Sequence, residues 1–468
     1  MYKKINFQKQ RGQIMRRKLI VIPVILILAF FLFIQNCSPA HQSKAGKPGE
    51  YPTQYPDRIV ATWNQDPSSS FNVTWRTDSS ITEGQAMIAL AKDAPKFHLN
   101  AQSVEAKVQN LKADRVGEDV KANYHTATFK NLAPNTLYAY KVGANGKWSE
   151  WFQIKTACKQ EKPFQFIYLG DAQTDILSHW SRDIRAAFGK ASDAAFIIHA
   201  GDLVNHAHRN EEWGEWNLAG SFIQSMIPNI AVPGNHEYWR YTDNRDDPRL
   251  LSIHWRKQFE FPINGPEGLE ETAYYIDYQG MRIIALNSNR KIDEQSKWLE
   301  KILKDNPNRW TVTTHHHPIY SSGEGRNNEE LRAAWEPIYS KYGVDLVMQG
   351  HDHTYARGRT KNIKKGVNVR DRETGTVYVN SVSGSKMYNM RDTKWDPMNG
   401  VMKRAAENTQ LYQTVSVTHD TLKFRAYTAS GELYDSFDIV QQDGQLTNKI
   451  IEHPVEVEER TFENTMKY

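Results

Sequence analysis

Five short apolar runs constrain the fold of this 468-residue chain more than any other feature, because each is closely followed by residue types that can bind metal ions. The runs span residues 164–169, 195–199, 229–232, 309–313 and 345–348. Continuous apolar runs of this length are typical of strands that are buried on both faces of a sheet. Amphipathic stretches at 293–303 and 328–339 lie between some of the runs. This alternation predicts βαβ units around a buried sheet.

The loops that follow the five runs carry carboxylate, imidazole and amide groups. In chain order they are Gly170-Asp171, Gly201-Asp202, Gly234-Asn235-His236, His315-His316-His317-Pro318 and Gly350-His351-Asp352-His353. Loops at the carboxyl ends of strands in an open α/β sheet converge on one crevice. These residue types suit two cations about 3.5–4 Å apart, with net positive charge left over. We therefore predict a dinuclear metal site that attracts a phosphate anion.

A different pattern precedes the first apolar run. Seven β-rich runs occur at regular spacing, at residues 58–63, 71–76, 85–90, 103–108, 124–129, 137–142 and 148–154. This spacing predicts an antiparallel β-sandwich. Two later segments with hairpin character, 273–286 and 410–439, are predicted to add antiparallel strands to the α/β domain.

The N-terminal segment has the pattern of an export signal. Residues 1–36 contain seven Lys and Arg, no acidic residue and an apolar run at 19–34, with initiation at Met1 or Met15. The 16 apolar residues of this run are fewer than the roughly 20 that a membrane span needs. Cys37 follows this segment and resembles the acylated cysteine of bacterial lipoproteins, although Asn36 replaces the usual small residue. We expect a lipoprotein of a bacterial cell envelope, periplasmic or at the cell surface, with a secreted form or an uncleaved anchor as alternatives.

The basic character of the chain comes from that N-terminal segment. The formal net charge is +5, but without the seven N-terminal bases the remaining 52 Lys and Arg face 54 Asp and Glu. We therefore expect no binding to nucleic acid. Cys158 is the only other cysteine, so lipidation of Cys37 would exclude an intrachain disulfide.

Composition and periodicity divide the chain into five parts. We predict a signal segment at 1–36, a polar linker at 37–54, a β-sandwich at 55–157, an α/β domain at 163–440 and a C-terminal tail at 441–468.

The five loops, in this order, resemble those of the calcineurin-like metallophosphoesterase superfamily. Residues 132–142, with Tyr138 at the corner, resemble the tyrosine corner of fibronectin type III domains. That domain and Arg357, which follows Gly-His-x-His-x-Tyr, resemble the purple acid phosphatase branch. The resemblance covers residues 55 to about 440. It implies a metallophosphoesterase α/β sandwich preceded by an all-β, fibronectin type III-like sandwich.

The resemblance also implies a role for each loop residue. By position, Asp171 and His353 would bind the first metal, Asp202 would bridge, and Asn235, His316 and His351 would hold the second. His236 would lie outside both coordination shells and act as the general acid for the leaving group. The implied reaction is hydrolysis of a phosphate ester by a metal-activated hydroxide.

Three positions depart from the family pattern. Purple acid phosphatases have a ferric-binding Tyr where this chain has Asn205, and other superfamily members have a His where it has Gln173. We therefore expect two divalent ions (Zn, Mn or Fe), Gln173 as a possible additional ligand, ferric iron disfavoured and a colourless protein. The family has another His-bearing segment after His-x-Pro, where this chain has Arg326, a candidate substrate contact.

Other polar residues near the loops are open to more than one interpretation. The family pattern selects His316 as a ligand, so His317 becomes a candidate substrate contact and His315 is expected beneath the sheet. His206 and His208 follow Asp202 and could contact substrate or belong to an ordinary solvated loop.

Some of the remaining residues have simpler structural explanations. Asp352 lies between two ligands and is expected to shape the turn or orient an imidazole. Four tryptophans could line a pocket for an organic leaving group but are interpreted as core: Trp213, Trp216, Trp239 and Trp255.

These observations predict an exported dinuclear metal-dependent phosphoesterase that acts on a phosphorylated small molecule. A phosphomonoesterase is the first hypothesis and a phosphodiesterase for nucleotides or lipid head groups is the second. A non-catalytic surface-binding lipoprotein is the third, and the complete set of six ligand-type residues argues against it.

Overall fold

The computed structural model describes residues 49–112, 120–242, 244–360, 375–441 and 448–462. The predicted export segment, Cys37 and most of the predicted linker lie outside these ranges. Within the ranges, no helix has the length and apolar character needed to cross a membrane.

The N-terminal part of the described chain is a sandwich of two antiparallel sheets. Its strands are β1 Asp57–Thr62, β2 Phe71–Asp78, β3 Gln85–Leu90, β4 Gln102–Glu105, β5 Lys107–Lys112, β6 Lys121–Phe129, β7 Leu137–Ala144, β8 Lys147–Trp148 and β9 Phe152–Lys155. One sheet has the order β1-β2-β6-β5 and the other β4-β3-β7-β8, with β9 also paired to β7. Phe71 and Phe129 from the first sheet pack their rings against Tyr140 from the second. The predicted all-β sandwich is therefore confirmed.

The strand count within the described sandwich differs from the seven predicted runs. The run at 103–108 contains two strands, because the chain crosses at Ala106 from the sheet that holds β3 to the sheet that holds β6. The Ala106 N–H donates to the carbonyl of Gly84 over 2.9 Å at this crossing. The run at 148–154 likewise contains both β8 and β9. A continuous β-rich run does not reveal that the chain changes sheets within it.

Tyr138 forms the predicted corner of the sandwich. Its ring is buried, and its hydroxyl accepts the backbone N–H of Ala133 over 2.8 Å. This single hydrogen bond joins the start of β7 to the preceding turn, as the sequence pattern predicts.

The described residues of the C-terminal part form two seven-stranded sheets and one short ribbon. The strands are β10 Phe164–Leu169, β11 Ile197–His199, β12 Asn229–Ala231, β13 Tyr238–Trp239, β14 Leu250–Leu251, β15 Tyr274–Tyr278, β16 Met281–Ala285, β17 Trp310–Thr314, β18 Leu346–Gln349, β19 Tyr355–Thr360, β20 Val377–Asn380, β21 Gly400–Ala406, β22 Leu411–Val417, β23 Thr421–Thr428, β24 Leu433–Gln441 and β25 Asn448–Glu452. The helices are α1 Ser181–Lys190, α2 Asn210–Met226, α3 Trp255–Gln258, α4 Ile292–Lys304 and α5 Glu329–Tyr342.

The five predicted apolar runs form parallel strands of these sheets, four of them inside a sheet and β12 at an edge. One sheet has the order β12-β11-β10-β22-β23-β24-β25, and the other has the order β15-β16-β17-β18-β20-β19-β21. Strands β10, β11 and β12 are parallel, as are β16, β17, β18 and β20. The predicted α/β sandwich with added antiparallel strands is confirmed, with β15–β16 and β22–β24 as the predicted antiparallel segments.

Successive residues of the parallel strands belong to different layers. Ile283 and Met348 lie in the main core cluster, whereas Ile284 and Val347 lie in a second cluster that includes Leu299 of α4. This division follows from the period of two along a strand. Both faces of the second sheet are therefore buried, which explains why its strands read as continuous apolar runs.

The sandwich docks on the start of α2 through two buried guanidinium groups. Arg58 donates to the carbonyl of Asn210 over 2.8 Å, and Arg76 donates to the Asn210 side-chain oxygen over 3.1 Å. Asp57 holds Arg76 in a two-point ion pair of 2.6 and 2.8 Å. Since a buried charge needs partners of this kind, these contacts fix the loop between Asp202 and α2 relative to the sandwich.

The last described strand belongs to the α/β sandwich. Arg357 pairs with Asp435 over 2.7 Å and with Glu452 of β25 over 2.8 Å. The predicted boundary at residue 440 therefore separates β25 from the sheet whose edge it forms.

Candidate metal centre

The predicted ligands lie just beyond the carboxyl ends of the parallel strands. Asp171 follows β10, Asp202 follows β11 and Asn235 follows β12. In the second sheet His316 follows β17, and His351 follows β18. The sheet order therefore brings five loops that are distant in sequence to one edge.

The structure gathers ligand atoms into two groups that share one residue. The first group is Asp171, Asp202 and His353, and the second is Asp202, His316 and His351. Within each group the ligand atoms lie within 4.8 Å of one another. Because Asp202 belongs to both groups, its position suits a carboxylate that bridges two adjacent cations.

Asn235 adds a neutral oxygen to the second group. Its Oδ1 lies 3.1 Å from Nε2 of His316, and that nitrogen lies 3.1 Å from Oδ2 of Asp202 and 3.1 Å from Nδ1 of His351. Three potential ligand atoms thus lie 3.1 Å from a fourth, Nε2 of His316, and four is the number of ligands in a tetrahedral coordination shell.

Backbone carbonyls select the tautomers of two imidazoles. A carbonyl can only accept, so Nδ1 of His316, 2.9 Å from the Ala200 carbonyl, carries the proton. Nδ1 of His353, 2.8 Å from the Lys386 carbonyl, does so for the same reason. The Nε2 atoms of both rings then face the carboxylates of the site. Burial alone would lower the pKa of His316, but the Asp202 carboxylate raises it to about 9, so a cation bound here would replace the proton on this Nε2.

Two buried oxygens at the first group have no hydrogen-bond partner within the described chain. They are Oδ1 of Asp171 and Oε1 of Gln173. Nε2 of His353 lies 3.8 Å from that Asp171 oxygen. Since a buried oxygen without a partner is costly, the Asp171 oxygen fits a metal ion at this position, and the Gln173 oxygen would fit one after rotation of its amide.

The surroundings shift the pKa values of the two aspartates in opposite directions. Burial raises the pKa of Asp171, and the neighbouring Asp202 carboxylate adds to this effect. Burial also acts on Asp202, but His316 and the N–H of His236 hold the pKa of Asp202 well below its usual range. Burial lowers the pKa of His353 to about 3, which keeps this imidazole in the neutral form that binds metals.

Four of the ligand residues have positive φ angles, and the loops that carry the ligands pack closely against each other. Asp171, Asp202, His351 and His353 have φ values of 44°, 48°, 74° and 52°, in the left-handed region. A Cβ on Gly234 would lie 2.1 Å from Oδ1 of Asp202. The glycine of this motif is therefore required for the loop after β12 to approach the shared carboxylate.

Glu237 is a positioning residue that sequence reasoning missed. Its buried carboxylate accepts the N–H groups of Asp202 and Leu203 over 2.9 Å each, and that of Gly234 over 2.7 Å. It thereby ties the loop after β11 to the loop after β12. The signal available in the sequence was an acid next to His236, in a motif already assigned to the site.

His236 lies beside the two groups and belongs to neither. Its backbone N–H donates to Oδ1 of Asp202 over 2.8 Å, and its Nδ1 donates to the carbonyl of Asn205 over 2.5 Å. Its Nε2 is 4.0 Å from Oδ2 of Asp202, and the side chain is 26% exposed. This is the geometry of a ring that faces both the site and the solvent, as the general-acid hypothesis requires.

Gln173 and Asn205, two of the three positions that depart from the family pattern, have different surroundings. Gln173 directs its amide nitrogen at Oδ2 of Asp202 (3.0 Å) and at Nε2 of His353 (2.9 Å). Ligation by Gln173 would require the amide to rotate so that its oxygen faces the cation. The Asn205 amide contacts the His206 ring at 3.0 Å, so it does not replace a phenolate ligand.

The adjacent histidines take the separate positions that strand alternation predicts. His315 is buried against Trp335 and Tyr339 of α5, beneath the sheet. The His317 ring lies 4.3 Å from the ring of His351, and its Nδ1 is 2.8 Å from Ser288 Oγ. His317 is thus next to a ligand and remains a candidate for substrate contact.

Arg326 is held at the rim of the site. It donates to the carbonyl of His351 over 2.7 Å, and its guanidinium lies 4.7 Å from the centre of the Tyr388 ring. That ring in turn packs against His353 at 4.7 Å. Asp352 accepts the N–H of Gly323 over 3.0 Å, as expected of a residue that shapes the turn.

His206 is turned toward a neighbouring helix. Its Nδ1 lies 2.8 Å from a carboxylate oxygen of Glu212, and its backbone N–H donates to the other oxygen over 2.7 Å. The two groups of ligand atoms include neither His206 nor His208.

Comparison with known proteins gives a match to each of the two domains. The profile described as Purple acid Phosphatase, N-terminal domain, matches residues 56–156, and that of Calcineurin-like phosphoesterase matches residues 147–355. Probable purple acid phosphatase 20 of Arabidopsis thaliana is 27% identical over 69% of this chain and 73% of its own length. Fe(3+)-Zn(2+) purple acid phosphatase 12 of the same plant is 30% identical over 51% of this chain and 53% of its own length.

A solved structure has the same fold. Purple acid phosphatase PPD1 from seeds of yellow lupin (Lupinus luteus) superposes with a TM-score of 0.68 at 20% identity. The superposition covers 84% of this chain and 76% of the lupin chain.

The position of Glu237 generates a prediction. We expect Glu237→Gln to weaken metal binding by about 10–100-fold, because one carboxylate that accepts N–H groups from two ligand loops becomes an amide with a single acceptor oxygen. Competition with a chelator measures the change. Glu215→Gln, on α2, is the matched control and should leave metal affinity unchanged. Equal affinities of the Glu237 variant and the wild type would contradict the assigned role.

Proposed function

Because the chain belongs to the purple acid phosphatase-like branch of the calcineurin-like phosphoesterases, and is a metal-dependent phosphoesterase, we propose that it hydrolyses phosphate monoesters of small molecules. The observation that carries the proposal is the pair of ligand groups that share Asp202, with His236 beside them. Divalent ions held there would lower the pKa of water and stabilise charge on the transferring phosphoryl group.

His236 is proposed to protonate the leaving oxygen. Since Nδ1 is committed to the Asn205 carbonyl, Nε2 is the atom that can hold and transfer the proton. The exposure of the ring allows the proton to be replaced from solvent.

Arg326 and His317 are proposed to contact the phosphate oxygens. The contacts of Arg326 with the His351 carbonyl and the Tyr388 ring hold its cation next to the ligand loops. A fixed cation favours a monoester dianion over a diester, which has one negative charge fewer.

A substrate panel tests the proposal. With protein loaded with zinc or manganese, we expect kcat/KM for 4-nitrophenyl phosphate to exceed that for bis(4-nitrophenyl) phosphate. Asp202→Asn should lower both values by about 10²–10³-fold or more, because it removes the shared anion. The reverse preference would make the protein a diesterase, and no turnover of either ester would contradict the proposal.

The role of His236 can be tested through the leaving group. General acid catalysis contributes about 10²–10⁴-fold to a rate, and an alkoxide needs the proton more than 4-nitrophenolate does. We therefore expect His236→Gln to lower kcat for glycerol phosphate much more than kcat for 4-nitrophenyl phosphate. His179→Gln alters an exposed histidine and is the control. An equal loss for both substrates would argue against a proton donor.

The metal ions are proposed to be divalent, because Asn205 stands where a phenolate would stabilise ferric iron. Protein loaded with ferric iron and zinc, the pair in the name of the Arabidopsis relative, should show no visible charge-transfer band. A visible band would contradict this assignment.

We also propose that the protein is exported and anchored through lipid on Cys37. The support is the basic segment and apolar run of residues 1–36, directly before this cysteine. Cys37→Ser should move the protein from the membrane fraction to the soluble fraction, whereas Cys158→Ser should not. The same distribution of both variants between the membrane and soluble fractions would contradict the proposal.

A further inference from the structure

Trp239 differs from the other tryptophans that the sequence analysis interpreted as core. Trp213, Trp216 and Trp255 are fully buried, in agreement with that interpretation. Trp239 is 36% exposed, so for this residue the interpretation is wrong. An exposed indole next to a catalytic loop needs an explanation, because large apolar side chains at the surface often mark binding sites.

The ribbon of β13 and β14 presents Trp239 to solvent. Trp239 pairs directly with Leu250 in the antiparallel register, and Leu250 is 54% exposed. Side chains of paired residues lie on the same face of a ribbon. Tyr238, on the opposite face, is buried and accepts a hydrogen bond from Asn287 over 2.7 Å. One face of the ribbon therefore packs on the domain, and the other is an open apolar surface.

Two imidazoles extend this surface. The His208 ring stacks on the indole of Trp239 with centroids 4.0 Å apart and planes at 24°. The His206 ring meets Trp239 at 6.0 Å and 70°, and Glu212 holds His206 in place over 2.8 Å. Burial lowers the pKa of His208 to about 4, so its stacked ring is neutral near pH 7. We call Trp239, Leu250, His206 and His208 the Trp239 platform.

A chain of direct contacts joins the Trp239 platform to the proposed proton donor. Nδ1 of His236 donates to the Asn205 carbonyl, and the Asn205 amide contacts the His206 ring at 3.0 Å. His206 then touches Trp239. The platform is thus connected to His236, the residue proposed to protonate the leaving oxygen.

From this arrangement we infer that the Trp239 platform binds the leaving group and favours phosphate esters of planar, apolar alcohols such as aryl phosphates. An aromatic group can stack on an exposed indole, whereas a small aliphatic alcohol gains little there. The inference rests on the proposed function, because His236 defines the leaving-group side.

Binding of two non-hydrolysable probes tests the inference without turnover. By calorimetry, zinc-loaded wild-type protein should bind phenylphosphonate about tenfold more tightly than methylphosphonate. Trp239→Ala should remove this preference and leave the affinity for methylphosphonate unchanged, and Trp239→Phe should retain most of it. Tyr55→Ala removes a similarly exposed ring from the segment that precedes β1 and should retain all of it.

The outcomes separate this inference from the proposed function. Equal affinities of the wild type for the two probes, or an unchanged preference in Trp239→Ala, would overturn the inference even if monoesters are hydrolysed. A preference that depends on Trp239 in a protein that hydrolyses no monoester would support the inference and refute the proposed function. A matching drop of kcat/KM for 1-naphthyl phosphate, but not for glycerol phosphate, in Trp239→Ala would support both.

Discussion

The shared carboxylate of Asp202 is the interaction on which the site depends. It alone belongs to both groups of ligand atoms, it accepts the N–H of His236, and it lies 3.1 Å from His316. Its backbone is in the left-handed region, a conformation that persists only where neighbouring structure enforces it. Glu237 and the close approach of Gly234 provide that enforcement. The position of Asp202 therefore depends on contacts between the loop after β11 and the loop after β12.

The fold supplies this arrangement through its parallel strands. Strands of both sheets contribute side chains to one core cluster, and the loops that follow β10, β11, β12, β17 and β18 meet at one edge. The sandwich contributes at a distance, because Arg58 and Arg76 fix the start of α2 at Asn210. The chain between Asp202 and α2 carries Asn205, His206 and His208, so the packing of the sandwich also affects the surroundings of His236.

The central strands of the α/β domain could be predicted from the sequence, because strands that are buried on both faces are continuous apolar runs. The loop residues could be read for the same reason: Asp202 and His316 follow such runs directly. The features that could not be predicted depend on the direction in which a side chain points. The sequence does not state which atom of the Gln173 amide faces the ligands, that Glu237 turns back to bind backbone N–H groups, or that Trp239 alone of four similar residues faces solvent. The change of sheet at Ala106 escaped for a related reason, since both halves of that run have the same strand pattern.

The central claim is that two cations share the Asp202 carboxylate, and anomalous diffraction from crystals of zinc- or manganese-loaded protein tests it most directly. The account predicts two anomalous peaks about 3.5–4 Å apart, both within coordination distance of Asp202. One peak is expected next to Asp171 and His353 and the other next to Asn235, His316 and His351. A single peak, or two peaks of which only one contacts Asp202, would contradict it.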